Sequence, residues 1–268
     1  MKRDVAGYRL HVRNVAPAQA VRARVIIVHG YGEHSGRYDD LARGLARCGI
    51  ASTSCDLPGH GQSSGNAGVL SVHDVIQTII EELNDVSRQL NGDVPSYLFG
   101  HSLGALLVVG HCSVQARTYA GIILSSPVIG GWSAIDAFLH ADEIPPSLVR
   151  ARHLSRRVSF ATSYDSDPLV YRGAMARRTL REAADVLDEL SHSTSPLAGY
   201  RVQWIHGSAD RIVPVGQAMR ALADLGVTDL DACIYPDARH EVLNDDPADS
   251  AFRRIRDFIH TPSPSTGH

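Results

Sequence analysis

The pentapeptide Gly100-His101-Ser102-Leu103-Gly104 sets a serine between the apolar run Tyr97-Leu98-Phe99 and a second apolar stretch, Ala105 to Val109. A Gly-x-Ser-x-Gly between a strand and a helix reads as a nucleophile elbow, a sharp strained turn that exposes the serine hydroxyl at a helix N-terminus. Backbones pass so close at such a turn that side chains at Gly100 and Gly104 would collide. A serine hydroxyl is inert at neutral pH until a base removes its proton. An imidazole serves as that base only when a third group holds its tautomer and offsets its charge. The chain supplies both partners in the order serine, acid, histidine. Asp210 ends the loop His206-Gly207-Ser208-Ala209-Asp210, and His240 ends Pro236-Asp237-Ala238-Arg239-His240. Asp237 reads instead as a turn former and His206 as a structural residue at a strand end. The chemistry expected of Ser102, Asp210 and His240 is acyl transfer.

An acyl-transfer site also needs donors for the developing oxyanion. The backbone N–H of Leu103, next to the nucleophile, is one candidate, and that of Tyr31 in the loop Gly30-Tyr31-Gly32-Glu33-His34-Ser35-Gly36 is the other. That loop approaches the dinucleotide fingerprint G-x-G-x-x-G, but Ser35 stands where the third glycine belongs. No nicotinamide site is expected, nothing resembles the zinc motif H-E-x-x-H, and the reading calls for no cofactor and no metal. His29, His60 and His101 read as hydrogen-bonded scaffold.

Periodicity places strands at Tyr8–Val15 (an edge), Val21–Val28, Ile50–Cys55, Ala120–Leu124, Val202–Ile205 and Ala232–Tyr235, besides the one before the elbow. Helices are expected at Asp39–Arg47, Val72–Leu90, Gln217–Leu225 and Phe252–Ile259. Alternation of this kind predicts an α/β fold with a mostly parallel central sheet covered by helices on both faces. Ligands of such sheets sit at the carboxyl ends of the strands, where the loops after His29, Asp56 and Ser102 leave. Between 128 and 171 the pattern changes. Trp132, Ile135, Phe138 and Leu139 keep helical spacing, Pro145-Pro146 interrupts, and Arg150, Arg152, Arg156 and Arg157 crowd together. This predicts a small helical lid inserted between two parts of the core, 1–127 and 172–260, with Asp167-Pro168 starting a helix and a disordered tail at 261–268. The arginines read either as a solvated surface or as facing an anionic group.

A chain of 268 residues can bury a sizeable core, and a net charge of −3 gives no reason to expect nucleic acid or an anionic membrane as partner. Four cysteines lie far apart without metal or redox spacing. No signal peptide or membrane span is visible, so a cytoplasmic protein acting on a small-molecule ester or lipid, without stable membrane insertion, is expected.

Taken together, these segments resemble the monoacylglycerol lipase and lysophospholipase branch of the α/β-hydrolases. The resemblance rests on His29 to Tyr38, Asp56 to Ser63, Gly100 to Gly104, Asp167 to Val170, His206 to Asp210 and His240-Glu241. The Gly-Glu-His-Ser-Gly-Arg-Tyr run is its most specific part. It implies an α/β-hydrolase fold, a lid that shapes an acyl tunnel, the triad Ser102, Asp210 and His240, and an oxyanion loop through Tyr31. Glu33 and Arg37 lie in the specific segment and are candidates for a hydroxylated head group, with a structural ion pair as the alternative. The expected reaction is hydrolysis of a monoacylglycerol-like ester. Alternatives on the same triad are a short-chain carboxylesterase, a thioesterase or an acyltransferase; a ligand-binding protein of this fold would not need all three residues.

Overall fold

The computed structural model describes residues 1–115, 119–131, 133–146 and 149–261. Eight strands form one sheet: β1 (Lys2–Val5), β2 (Tyr8–Val15), β3 (Ala23–Val28), β4 (Ile50–Cys55), β5 (Ser96–His101), β6 (Gly121–Ser125), β7 (Arg201–Gly207) and β8 (Asp229–Tyr235). Their spatial order is β1-β2-β4-β3-β5-β6-β7-β8. The pairs β1/β2 and β2/β4 are antiparallel, and every pair from β4/β3 to β7/β8 is parallel. The expected edge strand, Tyr8–Val15, is covered by β1. Its segment Lys2-Arg3-Asp4-Val5 buries only Val5 and so carries no alternation signal. It pairs because Ala6 (φ 49°) and Gly7 (φ 80°) both take the left-handed region that a two-residue hairpin requires.

The parallel strands alternate between two cores, as their period of two requires. Ile26, Val28, Leu98, Ile122, Leu124, Val202 and Trp204 face one layer. Val25, Ile27, Tyr97, Phe99, Ile123 and Ile205 face the other. The second layer is closed by α1 (Asp39–Arg47) through Leu41 and Leu45, and by the last helix, α10 (Ala248–His260), through Ile255 and Phe258. The first layer holds the predicted Val72–Leu90 helix as three pieces: α2 (Val72–Asp74), a π turn at Val75–Ile79 and α3 (Ile80–Asn91). It also holds α4 (Leu103–Val114), in which every residue from Leu103 to Cys112 is buried. A helix apolar all round belongs in the middle of a layer.

Between β6 and β7 come α5 (Ser133–His140), α6 (Ala151–Leu154), α7 (Val158–Ser166) and α8 (Arg177–His192); α9 (Val215–Asp224) follows β7. Trp132 and the tail from 262 lie outside the described residues. Asp167 does not open a helix. Its Oδ1 accepts the Leu169 N–H at 2.9 Å and its Oδ2 accepts Nε2–H of His34 at 2.8 Å, so the chain turns there. The next helix waits until Arg177. The Leu169 bond is of the kind an N-cap makes, but the residues after it form a turn and not a helix.

The elbow depends on close backbone contact. A Cβ at Gly104 would sit 2.3 Å from the Val28 carbonyl oxygen and 2.5 Å from that of His29. In an unhindered helix Gly→Ala stabilises by roughly 1 kcal/mol. Gly104→Ala should reverse that sign, lowering the unfolding free energy in urea. A variant as stable as the parent would show that α4 can move away from β3 at no cost.

Candidate active site

Ser102 sits between β5 and α4 with φ 53° and ψ −120°, a left-handed conformation that a non-glycine residue takes only under constraint. The constraint is visible on both sides. Its N–H donates to Ser125 O at 2.9 Å, and its carbonyl accepts from Val128 N–H at 3.1 Å. A Cβ on Gly100 would meet Ala105 Cα and Gly104 O at 2.6 Å. The Tyr31 loop reaches the same point: a Cβ on Gly30 would lie 3.1 Å from Ser102 Cβ. His29 locks that loop, accepting the Leu57 N–H on Nε2 at 2.9 Å and donating from Nδ1 to Gly30 O at 2.7 Å. Tyr31 is pinned by its hydroxyl to Gly68 O at 2.8 Å, with its ring edge against His60.

Asp210 and His240 leave the ends of β7 and β8. His240 Nδ1 donates to Asp210 Oδ2 at 2.8 Å, with both side chains buried. The strand ends touch directly, since a Cβ on Gly207 would lie 2.2 Å from Ala238 O and 2.3 Å from Arg239 O. The Ile212 and Val213 N–H groups donate to Asp210 Oδ1 at 2.8 and 3.0 Å. His206 Nε2 lies 3.1 Å from Oδ2. Because an indole N–H can only donate, the 3.1 Å bond from Trp204 Nε1 makes His206 Nδ1 an acceptor and leaves the proton on Nε2, facing the acid. Burial alone would raise the Asp210 carboxyl. The charge of His240 and the hydrogen bonds from His206 and His240 outweigh it and hold the group well below the usual carboxylate range. Asp237 is exposed, takes φ 58° and makes no contact with the base.

Beneath His240 lies a buried charge cluster. The His101 ring centroid is 4.8 Å from that of His240, its Nδ1 is 3.2 Å from Ser125 Oγ and its Nε2 3.5 Å from Glu241 Oε1. Glu33 Oε1 accepts from Gly30 N–H at 2.6 Å and the Tyr38 hydroxyl at 2.7 Å; its Oε2 lies 3.2 Å from Arg37 Nε. Arg37 is roofed by Phe160 and Tyr164 of α7, with ring centroids at 5.0 and 4.9 Å. Glu33, His101 and Glu241 bring donor atoms within 4.8 Å of one another, a spacing that could hold a cation. The guanidinium of Arg37 already supplies that charge.

The family described as serine aminopeptidase, S33 (Hydrolase_4) matches residues 19–247. The chain belongs to this family. Its similar proteins include a monoacylglycerol lipase of Mycolicibacterium smegmatis, 25% identical over 90% of this chain and 89% of that protein, and the human monoglyceride lipase, 27% identical over 97% and 90%. A solved monoacylglycerol lipase of Paleococcus ferrophilus superposes with a TM-score of 0.80 at 25% identity, covering 93% of this chain and 98% of that one. The fold is therefore the α/β-hydrolase fold.

Within this S33-family fold, the geometry speaks against Glu33 and Arg37 as head-group contacts. Their side chains are 6% and 8% exposed, and both oxygens of Glu33 are committed, to the Arg37 Nε–H, the Tyr38 hydroxyl and the Gly30 N–H. This is the ion-pair alternative. Four residues around His240 are assigned no part in supporting it by the sequence reading. Ser126, at φ 45° and fully buried, donates its hydroxyl to His240 O at 2.7 Å. Glu241 is tied to the insertion by its N–H, which donates to Leu154 O at 2.8 Å. Trp204 reads from sequence only as a strand residue, and His206 as strand-end scaffold.

Burial opposes both charges of the His101–Glu241 pair, but mutual attraction wins: His101 is raised above its usual 6.5 and Glu241 held far below its usual 4.5. Glu241 therefore stabilises the fold above about pH 4.5 and loses that contribution as pH falls. His101 contributes below about pH 6.5 and loses it as pH rises through its raised value. The difference in unfolding free energy between the parent and His101→Gln/Glu241→Gln should peak between about 4.5 and 6.5 and shrink on either side. A difference flat across pH would mean the pair carries no charge.

Proposed function

We propose that the chain is a serine carboxylic-ester hydrolase that cleaves monoacylglycerols through an acyl-enzyme on Ser102. The observation that carries this reading is the buried 2.8 Å bond from His240 Nδ1 to Asp210, in a chain that also holds an elbow serine at a strained φ of 53°. With Nδ1 occupied, Nε2 of His240 is the nitrogen left to take the Ser102 proton as its oxygen attacks the ester carbonyl. The tetrahedral oxyanion falls to the backbone N–H groups of Leu103 and Tyr31, each such donor worth about 10²–10³ in rate. His240 then protonates the leaving alcohol. A water deprotonated by the same imidazole hydrolyses the acyl-enzyme. Asp210, kept ionised by its donors, stabilises the imidazolium in both halves. Relatives named monoacylglycerol lipases that align over nine-tenths of the chain favour a glycerol monoester over a peptide as substrate.

Between β6 and the helix α8 lie α5 and the short helices α6 and α7, on which, among the described residues, Val158 is the large apolar side chain left 79% exposed. Such a surface suits dissolved monoesters better than a lipid droplet. Among the described residues no helix is long and apolar enough to cross a membrane. The four cysteines are unpaired, and we place the enzyme in the cytoplasm on that ground.

Ser102→Ala should cut kcat on a nitrophenyl ester by about 10⁴–10⁶ and abolish labelling by a fluorophosphonate, with the fold retained. Labelling that survives would move the nucleophile elsewhere. Asp210→Asn should lower kcat by orders of magnitude, and a larger effect from Asp237→Asn would reassign the acid. Across glycerides, monoacylglycerols should turn over well and triacylglycerol emulsions poorly. A jump in rate at the onset of micelles would make the insertion an interfacial device.

A further inference from the structure

The arginines of the insertion do not simply spread into solvent. Arg152 and Arg156, with His153 between them, form one wall of a cavity of about 430 Å³, and Arg211, Asp237 and Arg239 form the other. The first wall belongs to α6 and the residues after it. The second belongs to the two loops that carry the acid and the base, because Arg211 follows Asp210 and Arg239 precedes His240.

The charge of this cavity is largely uncompensated. Arg156 is paired with Asp245 and Asp246. Arg239 donates Nη1 to the carbonyls of Arg152 and Ser155, neutral acceptors that leave its charge in place. The guanidinium groups of Arg152 and Arg211 have no hydrogen-bond or ion-pair partner among the described residues. Asp237 is the single carboxylate in the lining. His153 reports the result: a slight loss of hydration, then the charges of Arg152, Arg239, Arg211 and Arg150, push its imidazole below the ordinary value. Like charges held around a concavity repel unless an anion enters it.

Planar guanidinium forks match the oxygens of a phosphate group, donating paired charge-assisted hydrogen bonds that a single carboxylate cannot fully use. The volume exceeds what one inorganic phosphate needs and falls in the range of small-ligand pockets. We propose that this cavity is a binding site for a phosphate monoester, which bridges α6 to the loops carrying Asp210 and His240. The site is separate from the ester-cleaving centre and does not rest on the proposed hydrolase activity.

The test is calorimetric titration of glycerol 3-phosphate and of inorganic phosphate, at fixed ionic strength, into the parent and into Arg152→Ala/Arg211→Ala. Circular dichroism and nitrophenyl ester hydrolysis without added phosphate check that the variant is folded. The expected result is saturable one-site binding of the ester to the parent, about tenfold or more weaker in the variant. The ester should also bind more tightly than inorganic phosphate. Absence of saturable heat, or equal affinity in parent and variant, would overturn the site. Equal binding of the two probes would overturn the monoester assignment and leave free phosphate as the ligand. Should the double variant misfold, Arg152→Ala alone, at an exposed side chain without a partner, gives the same comparison.

Discussion

Three places where main chain touches main chain govern the rest of the structure. At Gly100 and Gly104 the elbow folds against itself and against the end of β3. At Gly30 the oxyanion loop comes within van der Waals reach of Ser102, and at Gly207 the end of β7 lies on the carbonyls of Ala238 and Arg239. At Gly100, Gly104 and Gly207 contacts this short are open only to residues without a Cβ, at Gly30 a Cβ would crowd its neighbours, and together they draw four separate loops close. Once they are made, Ser102, Asp210 and His240 have little room to be anywhere else. The strain at Ser102 and Ser126 is the cost of that convergence, offset by bonds from their neighbours on β6 and β7.

Bringing these loops together also concentrates charge in a dry place. Glu33, Glu241, Arg37, His101, Asp210 and His240 are all buried or nearly so, and an isolated ion there would be very costly. Each is met by an opposite charge or by several hydrogen bonds. The result is two adjoining systems, one built on Asp210 and one on Arg37, which meet where the rings of His101 and His240 lie 4.8 Å apart. Because Phe160 and Tyr164 cover Arg37, the second system extends into the insertion and couples it to the floor of the site.

Much of this is written locally in the chain. The parallel strands announce themselves because burial on both faces demands unbroken apolar runs such as Val25 to Val28. The positions of Ser102, Asp210 and His240 are legible, at a strand-to-helix turn and in two late-strand loops, and the structure has those turns and loops where the pattern sets them. What is not local is not legible. β1 has one buried residue, Val5, and is placed by its pairing with β2 rather than by a pattern of its own. The π turn at Val75–Ile79 leaves the helical spacing of its flanks intact and so makes no mark in the pattern. Asp167 looks like a cap until His34, 133 residues away, takes its free oxygen. Glu33 and Arg37 can be read as head-group contacts or as an ion pair, because nothing near them in the chain reveals the aromatic pair on α7 that covers Arg37.

Trp204 ends a hydrogen-bonded chain that runs through His206 and Asp210 to His240. The chain contains two tryptophans, the other being Trp132 in the insertion. With Trp132 replaced by Phe, the remaining indole stands one imidazole away from Asp210, joined to it by two hydrogen bonds, so that the single intrinsic fluorophore of the chain is built into the network that holds His240.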